Sequence, residues 1–282
     1  SMDIRKQTDA ETIFKKIIEN NKIYHKSDVG LSIFNLADFY KQTGNYSLAE
    51  LAYIESIKIF ESDKSQPMYA KAIENIALLY NDMGKNNKVE QLHKEAIFLR
   101  QKYLGENHPD YASSLDNLAG YYYDMGDYIK AEPYYNKALE LRRINSDKDS
   151  LDYAQSLNNV AGLYFQFGKY NQAENLLKHA LFIEKQANVS NAYTINNLAR
   201  LYAELERYDD ALIFYRKSLD VFNKEHGTIH PDNAVILDNI AFVYNQTQRY
   251  IQAEEMYLKA FKLRKNTLDT LHINYLSSLN NL

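Results

Sequence analysis

One feature constrains this chain more than any other: a triplet, Asn–aliphatic–Ala, returns at a nearly fixed distance. It stands at Asn35-Leu36-Ala37, Asn75-Ile76-Ala77, Asn117-Leu118-Ala119, Asn159-Val160-Ala161, Asn197-Leu198-Ala199 and Asn239-Ile240-Ala241, and Asn281-Leu282 opens a seventh. Successive Asn lie 40, 42, 42, 38, 42 and 42 residues apart. Other columns keep the same period. A Tyr follows each Ala (Tyr40, Tyr80, Tyr122, Tyr164, Tyr202, Tyr244), then Gly44, Gly84, Gly126 and Gly168, with Glu206 and Gln248 in their place later. Ala49, Val89, Ala131, Ala173, Ala211 and Ala253 come next, and a second small residue follows each, from Ser56 to Ala260. A period of this length marks one supersecondary unit stacked on copies of itself.

Each unit reads as two helices. In the third, Leu115, Leu118, Ala119 and Tyr122 keep helical spacing, Gly126-Asp127 punctuates, and Ala131, Tyr134, Tyr135, Ala138 and Leu139 resume the pattern. Small residues let the two helices approach, and Tyr and Leu fill the seam. With 9 Gly and 4 Pro in 282 residues there are few breakers for a strand-and-turn protein. Asn is a poor mid-helix residue, so a column of it calls for a role. The turns at Glu206 and Gln248, which lack Gly, are expected to be looser. So is unit two, which has Asn86 and Val89 where others have Tyr and Ala.

Gly105-Glu106-Asn107-His108-Pro109-Asp110-Tyr111-Ala112, Leu115-Asp116-Asn117-Leu118-Ala119 and Gly126-Asp127-Tyr128-Ile129-Lys130-Ala131-Glu132-Pro133 resemble the tetratricopeptide repeat, in the 42-residue variety of kinesin light chains and many bacterial proteins. The resemblance covers about residues 28–282. It implies an all-α fold, a right-handed α-solenoid of antiparallel helix pairs. Residues 1–25 would be the second helix of a preceding repeat or an N-terminal capping helix, 26–266 six repeats, and 267–282 the first helix of a seventh. A fragment of a longer array is expected, because a solenoid normally ends in a polar capping helix. Leu276, Leu279 and Leu282 would then form an apolar end face.

Several function classes fall away. Net charge is −4 with a pI near 6.0, without the basic excess of a nucleic-acid binder. Cysteine is absent, which removes thiol nucleophiles and Cys-ligated metals. No apolar run reaches the roughly 18 residues of a membrane span, and no signal-peptide core is present. A cytoplasmic protein is expected. His108-Pro109-Asp110 and His230-Pro231-Asp232 read as helix starts, with Pro preorganised for the first turn and Asp suited to the N-terminus. His226 and His230 lack a third metal partner. Phosphate-binding and nucleophile-elbow motifs are missing. The expectation is a protein that is not an enzyme, with no catalytic residues, no metal and no cofactor.

On each first helix the residues after the Asn are buried, and the Asn shares another stripe with positions −4, −1, +3, +6 and +7. The resemblance implies that this stripe lines a concave peptide groove. Asn75, Asn117, Asn159, Asn197 and Asn239 would then bond a ligand's backbone, since a primary amide donates and accepts at once. The bland reading is that they tie adjacent repeats together. Position −1 supplies Asp116, Asn158, Asn196 and Asp238 as candidate selectivity residues, with Tyr123, Phe165 and Arg200 from the other columns. Gly120 and Gly162 would leave room for an apolar ligand side chain near Tyr123, Phe165 and Tyr193. Counting the whole stripe gives seven acids (Asp38, Glu74, Asp82, Asp116, Asp124, Glu204, Asp238) against Lys41, Lys71 and Arg200. The basic clamp of chaperone-binding members is mostly absent.

The leading expectation is a protein–protein interaction module holding an extended peptide or partner segment, neutral to basic with an apolar anchor. It involves no membrane and no direct contact with nucleic acid. One alternative is a sensor or regulatory array of a larger protein with a peptidase or DNA-binding effector. Another is a scaffold that self-associates through its Tyr-rich surface.

Overall fold

The computed structural model of the chain describes residues 12, 16, 26–63, 67–145 and 150–267. Beyond residues 12 and 16, the N-terminal assignment lies outside them, as do Leu276, Leu279, Asn281 and Leu282. Among the described residues there are twelve α-helices and no strand. None of these helices is long and apolar enough to cross a membrane.

The chain divides into two compact units, Ser1–Asn145 and Ser146–Leu282. The first contains α1 (Lys26–Gln42), α2 (Tyr46–Phe60), a short 3-10 turn (Glu61–Asp63), α3 (Pro67–Asp82), α4 (Val89–Tyr103), α5 (Pro109–Asp124) and α6 (Tyr128–Asn145). The second contains α7 (Leu151–Gln166), α8 (Tyr170–Gln186), α9 (Ala192–Glu204), α10 (Tyr208–His226), α11 (Pro231–Gln246) and α12 (Tyr250–Thr267). Within each unit, helices pack in successive pairs, each second helix meets the next first helix, and first helices also touch one another. This is the neighbour-only packing of an α-solenoid.

The alanine columns explain the close pairing. Ala37, Ala119, Ala161, Ala199 and Ala241 on first helices, and Ala49, Ala131, Ala173 and Ala211 on second helices, are fully buried. A methyl group at each crossing lets backbones approach, and Leu118, Leu163, Leu198 and Leu201 fill the flanks with no exposure beyond 1%. Burying each such leucine contributes about 1.5–3 kcal/mol. At one crossing even a methyl is too large: a Cβ on Gly30 would lie 2.8 Å from the Phe60 ring.

The turns without glycine are not looser. Glu206 and Gln248 adopt φ of 56° and 60°, the left-handed conformation that Gly126 takes at 75°. Their closing bonds are also the same: Arg207 N–H to Tyr202 C=O at 2.8 Å and Arg249 N–H to Tyr244 C=O at 2.8 Å match Asp127 N–H to Tyr122 C=O at 2.8 Å. Packing on both sides imposes the turn, and the side chains bear its strain. Unit two does differ. Without the Tyr and Ala pair, α4 starts only at Val89, whereas α2, α6, α8, α10 and α12 start at the column Tyr.

The two His-Pro-Asp segments start helices, with Pro at the first helical position. The cap itself is the histidine: His108 Nδ1 accepts from Asp110 N–H at 3.1 Å, and His230 Nδ1 from Asp232 N–H at 3.3 Å.

Candidate functional site

In three repeats the side chain at position −1 of the first helix points to an arginine on its own second helix. Glu74 on α3 is 4% exposed, and Arg100 on α4 donates to it at 2.5 Å. Arg142 on α6 bonds Asp116 on α5, both buried. Arg264 on α12 lies 2.5 Å from Asp238 on α11. The acid and the arginine are 26 residues apart each time. The same two places hold Phe34 and Phe60 in the first repeat, Asn158 and Glu184 in the fourth, and Asn196 and Phe222 in the fifth. Asp116 and Asp238, expected at the groove, therefore sit inside their repeats with their charges neutralised. Burial pushes the Asp238 carboxyl up, with Arg264 opposing. Arg100 also reaches the Asp110 carbonyl at 3.0 Å and the Ser114 hydroxyl, so it joins its repeat to the next.

The stripe's charge changes accordingly. The first unit keeps Asp38, Asp82 and Asp124 against Lys41 and Lys71, and Lys41 pairs with Asp82 at 3.1 Å. The second keeps Glu204 against Arg200. The acidic excess read from the sequence shrinks to near neutrality, because three acids had buried partners a helix away.

The Asn column divides. Asn75 donates to Asp38 of the preceding repeat at 2.9 Å, Asn197 to Asn158 at 3.0 Å, and Asn239 to Asn196 at 3.4 Å. These three amides link neighbouring repeats. Asn159 accepts from Gln155 on its own helix at 3.0 Å. Among the described residues no hydrogen bond engages the side-chain amide of Asn117, which is half-buried. The struts use the amide N–H of the Asn column, and each carbonyl is a further acceptor.

The aromatics also pack within the chain. Tyr123 meets Tyr128 edge-on with centroids 5.2 Å apart, and Phe165 meets Tyr170 at 5.6 Å. The Arg200 guanidinium stacks over Phe165, 4.2 Å from its centroid. A Cβ on Gly120 would lie 3.6 Å from the Tyr135 hydroxyl, so the space there is partly filled from α6.

The second unit has the surface best shaped to receive something. On its first helices Tyr193, Val235 and Phe242 are 52%, 43% and 48% exposed. Beside the first two lies a cavity of about 200 Å³, walled by Tyr193, Asn196, Phe222, Val235 and Ile236. Tyr193 packs edge-on against Phe222 at 5.5 Å, and its hydroxyl donates to Asp232 at 2.9 Å. Burial, with Asp232 assisting, pushes that hydroxyl up to about 12, so it remains a donor at neutral pH. The cavity exists where the acid–arginine pair is replaced by Asn196 and Phe222. A long arginine is absent from the column there.

The tetratricopeptide repeat family model matches residues 68–144, 116–183 and 189–266, and a second such model matches residues 32–63. The chain belongs to the tetratricopeptide repeat family. Among solved structures, this tetratricopeptide chain is similar to BtubC (BKLC) from P. vanneervenii, at 20% identity over 93% of this chain and 90% of that one, TM-score 0.55. It is also similar to a kinesin light chain-type repeat protein from P. anserina, at 17% identity over 72% and 99%, TM-score 0.55. The Cut9 structure, solved as the APC/C hetero-tetramer Cut9–Hcn1, matches at 18% identity over 96% of this chain and 45% of that one, TM-score 0.69. At these identities the likeness is one of fold. No curated protein sequence matches. Tetratricopeptide arrays are protein-interaction scaffolds, generally without catalysis of their own.

Sequence reasoning missed the arginine column. The signal was present in the chain: reading position −1 against the residue 26 further on gives Phe with Phe or acid with Arg in four of the six repeats. Two apolar or two opposite charges across one contact is the mark of a packed pair.

Proposed function

We propose that the second unit holds an extended, largely neutral peptide or partner segment along its first helices. An apolar side chain of that segment enters the cavity between Tyr193, Phe222 and Val235. The observation that carries this reading is that cavity, walled by the exposed Tyr193 and Val235, with Asn239 bonded to the wall residue Asn196 and Phe242 exposed further along the same stripe. Scattered exposed apolar residues are ordinary, but three on one stripe, two of them walling a concavity, suit a ligand anchor. The amide carbonyls of Asn197 and Asn239 can accept backbone N–H groups at about 0.5–1.5 kcal/mol each. Asn159, Phe165 and Arg200 continue the same stripe. In the first unit Asn75, Asn117 and Tyr123 occupy the equivalent places. Asp116 and Asp238 take no direct part. Near-neutral charge removes the reason to favour basic peptides.

The test starts from peptides selected against the purified chain. Val235→Glu and Phe242→Asp, both on exposed positions, should weaken the selected peptides about tenfold or more without lowering the melting temperature. Unchanged affinity in both variants would place the interaction elsewhere.

A further inference from the structure

The acid–arginine column breaks twice in the second unit, and a cavity lies beside each break. The first belongs to the surface above. The second is at Glu184, where the sister repeats carry Arg100, Arg142 and Arg264. The paired position on the first helix is Asn158, so repeat four buries an acid without the arginine that accompanies one elsewhere. Glu184 is 2% exposed. Its Oε1 accepts from the Thr194 hydroxyl at 2.7 Å, while its buried Oε2 has no hydrogen-bond partner among the described residues. No ion pair engages it among those residues. Burial pushes the carboxyl up, with Thr194 and Asn191 opposing. A lone buried charge is costly, and it is normally paired or neutralised.

Glu184 forms part of the wall of a cavity of about 540 Å³ between α8, the α8–α9 connection, α9 and α10. Leu181, Ile195 and Phe214 give that cavity apolar sides, and Lys185 and Lys217, both exposed, complete it. A simple cation would be drawn to Glu184 and repelled by the two lysines. A simple anion would meet the reverse. The wall suits a guest with a positive head, an aliphatic stem and a negative tail.

We propose that this cavity binds an arginine with a free carboxylate, either free arginine or the C-terminal residue of a peptide. The guanidinium pairs with Glu184, supplying from outside the group that Arg100 supplies to Glu74 within repeat two. The stem lies along Leu181, Ile195 and Phe214, and the carboxylate meets Lys185 and Lys217. Planar guanidinium–carboxylate pairing favours arginine over lysine. The site draws on α8, α10 and the Ile195 side chain of α9, and shares no wall residue with the Tyr193 cavity.

Calorimetric titration of the purified chain tests it, with four probes: arginine, a short peptide ending in Arg, the same peptide as its C-terminal amide, and citrulline. Arginine, the Arg-ending peptide or both should bind saturably, with Kd on the order of 1 mM or tighter. Binding of only one identifies the source. The amide and citrulline should bind about tenfold or more weakly. Glu184→Gln should behave toward arginine as the native chain does toward citrulline. Lys185→Ala with Lys217→Ala, at exposed positions that leave the fold intact, should abolish discrimination between the acid and the amide. Absence of saturation by both arginine probes, citrulline binding as well as arginine, or unchanged binding in both variants would overturn the assignment.

Discussion

Arg142→Met strips the cation from a carboxylate that the fold keeps from water. Asp116 and Arg142 are 9% and 7% exposed, so neither can recover its solvation without opening the α5–α6 contact. Removing one partner of such a pair costs about 3–5 kcal/mol, because the other charge stays buried. Asp116→Leu should cost a similar amount for the same reason. The double variant Asp116→Leu/Arg142→Met should return to within about 1 kcal/mol of the native chain, since apolar residues of similar volume replace both charges. The chain already contains that solution: Phe34 and Phe60 fill the same two places at 1% and 3% exposure. Urea unfolding followed by circular dichroism gives the overall effect. An array need not unfold in one step, so amide exchange in α5 and α6 should be read alongside. Additive losses, with the double variant as unstable as the two singles combined, would refute the view that the column is an interchangeable internal pair.

Glu206→Gly and Gln248→Gly should each stabilise the chain by about 0.5–1 kcal/mol, the left-handed strain relieved exceeding the added chain entropy; Gly126→Ala should cost about 1 kcal/mol. Thermal melts of the three variants check this. His93 is 1% exposed in α4, beside Tyr121 and near Arg100, and burial first, then Arg100, pushes it from 6.5 down to about 4. The unfolded chain takes up this proton near pH 6.5 while the folded chain refuses it until about pH 4. Stability should therefore fall by up to about 3 kcal/mol between those values. His93→Phe should flatten that part of the profile, and an unchanged slope would clear His93 of the effect. Asn197→Ala should cost about 0.5–1.5 kcal/mol of stability through its lost bond to Asn158, whereas Asn117→Ala should cost little. Denaturation midpoints of the two variants separate the strut from the unengaged amide.

Much of the fold was legible because the repeat writes each structural demand six times. Small residues at helix crossings, Tyr at the seam and Gly at the turn recur at fixed offsets, and helical spacing fixes which face each covers. The turns at Glu206 and Gln248 show where composition misleads: a residue type states a preference, but packed helices on both sides impose the backbone. Position −1 misled for a different reason. Helical spacing puts it beside the Asn, so one-helix reasoning sends both to the same surface. What decides its fate is a side chain on the other helix, long enough in Arg100 and Arg142 to reach back across the pair. The cavity at Tyr193 and the one at Glu184 follow from departures in that same column, which become visible only once the pairing is known.

The two polar systems define how such a chain can be cut and rejoined. The acid–arginine contact closes within one repeat, between a first helix and its own second helix. The Asn struts close across a junction, from Asn75 back to Asp38, or from Asn239 back to Asn196. Duplicating or deleting a whole helix pair keeps every buried acid–arginine pair together and puts at risk only contacts at the seam, such as the Asn struts and the Lys41–Asp82 pair. A crossover between the two helices of a pair could set an acid against Phe222, or leave an arginine facing Asn158. Loss or gain of whole repeats is then the tolerated form of variation in length, and the buried charges police the frame in which it occurs.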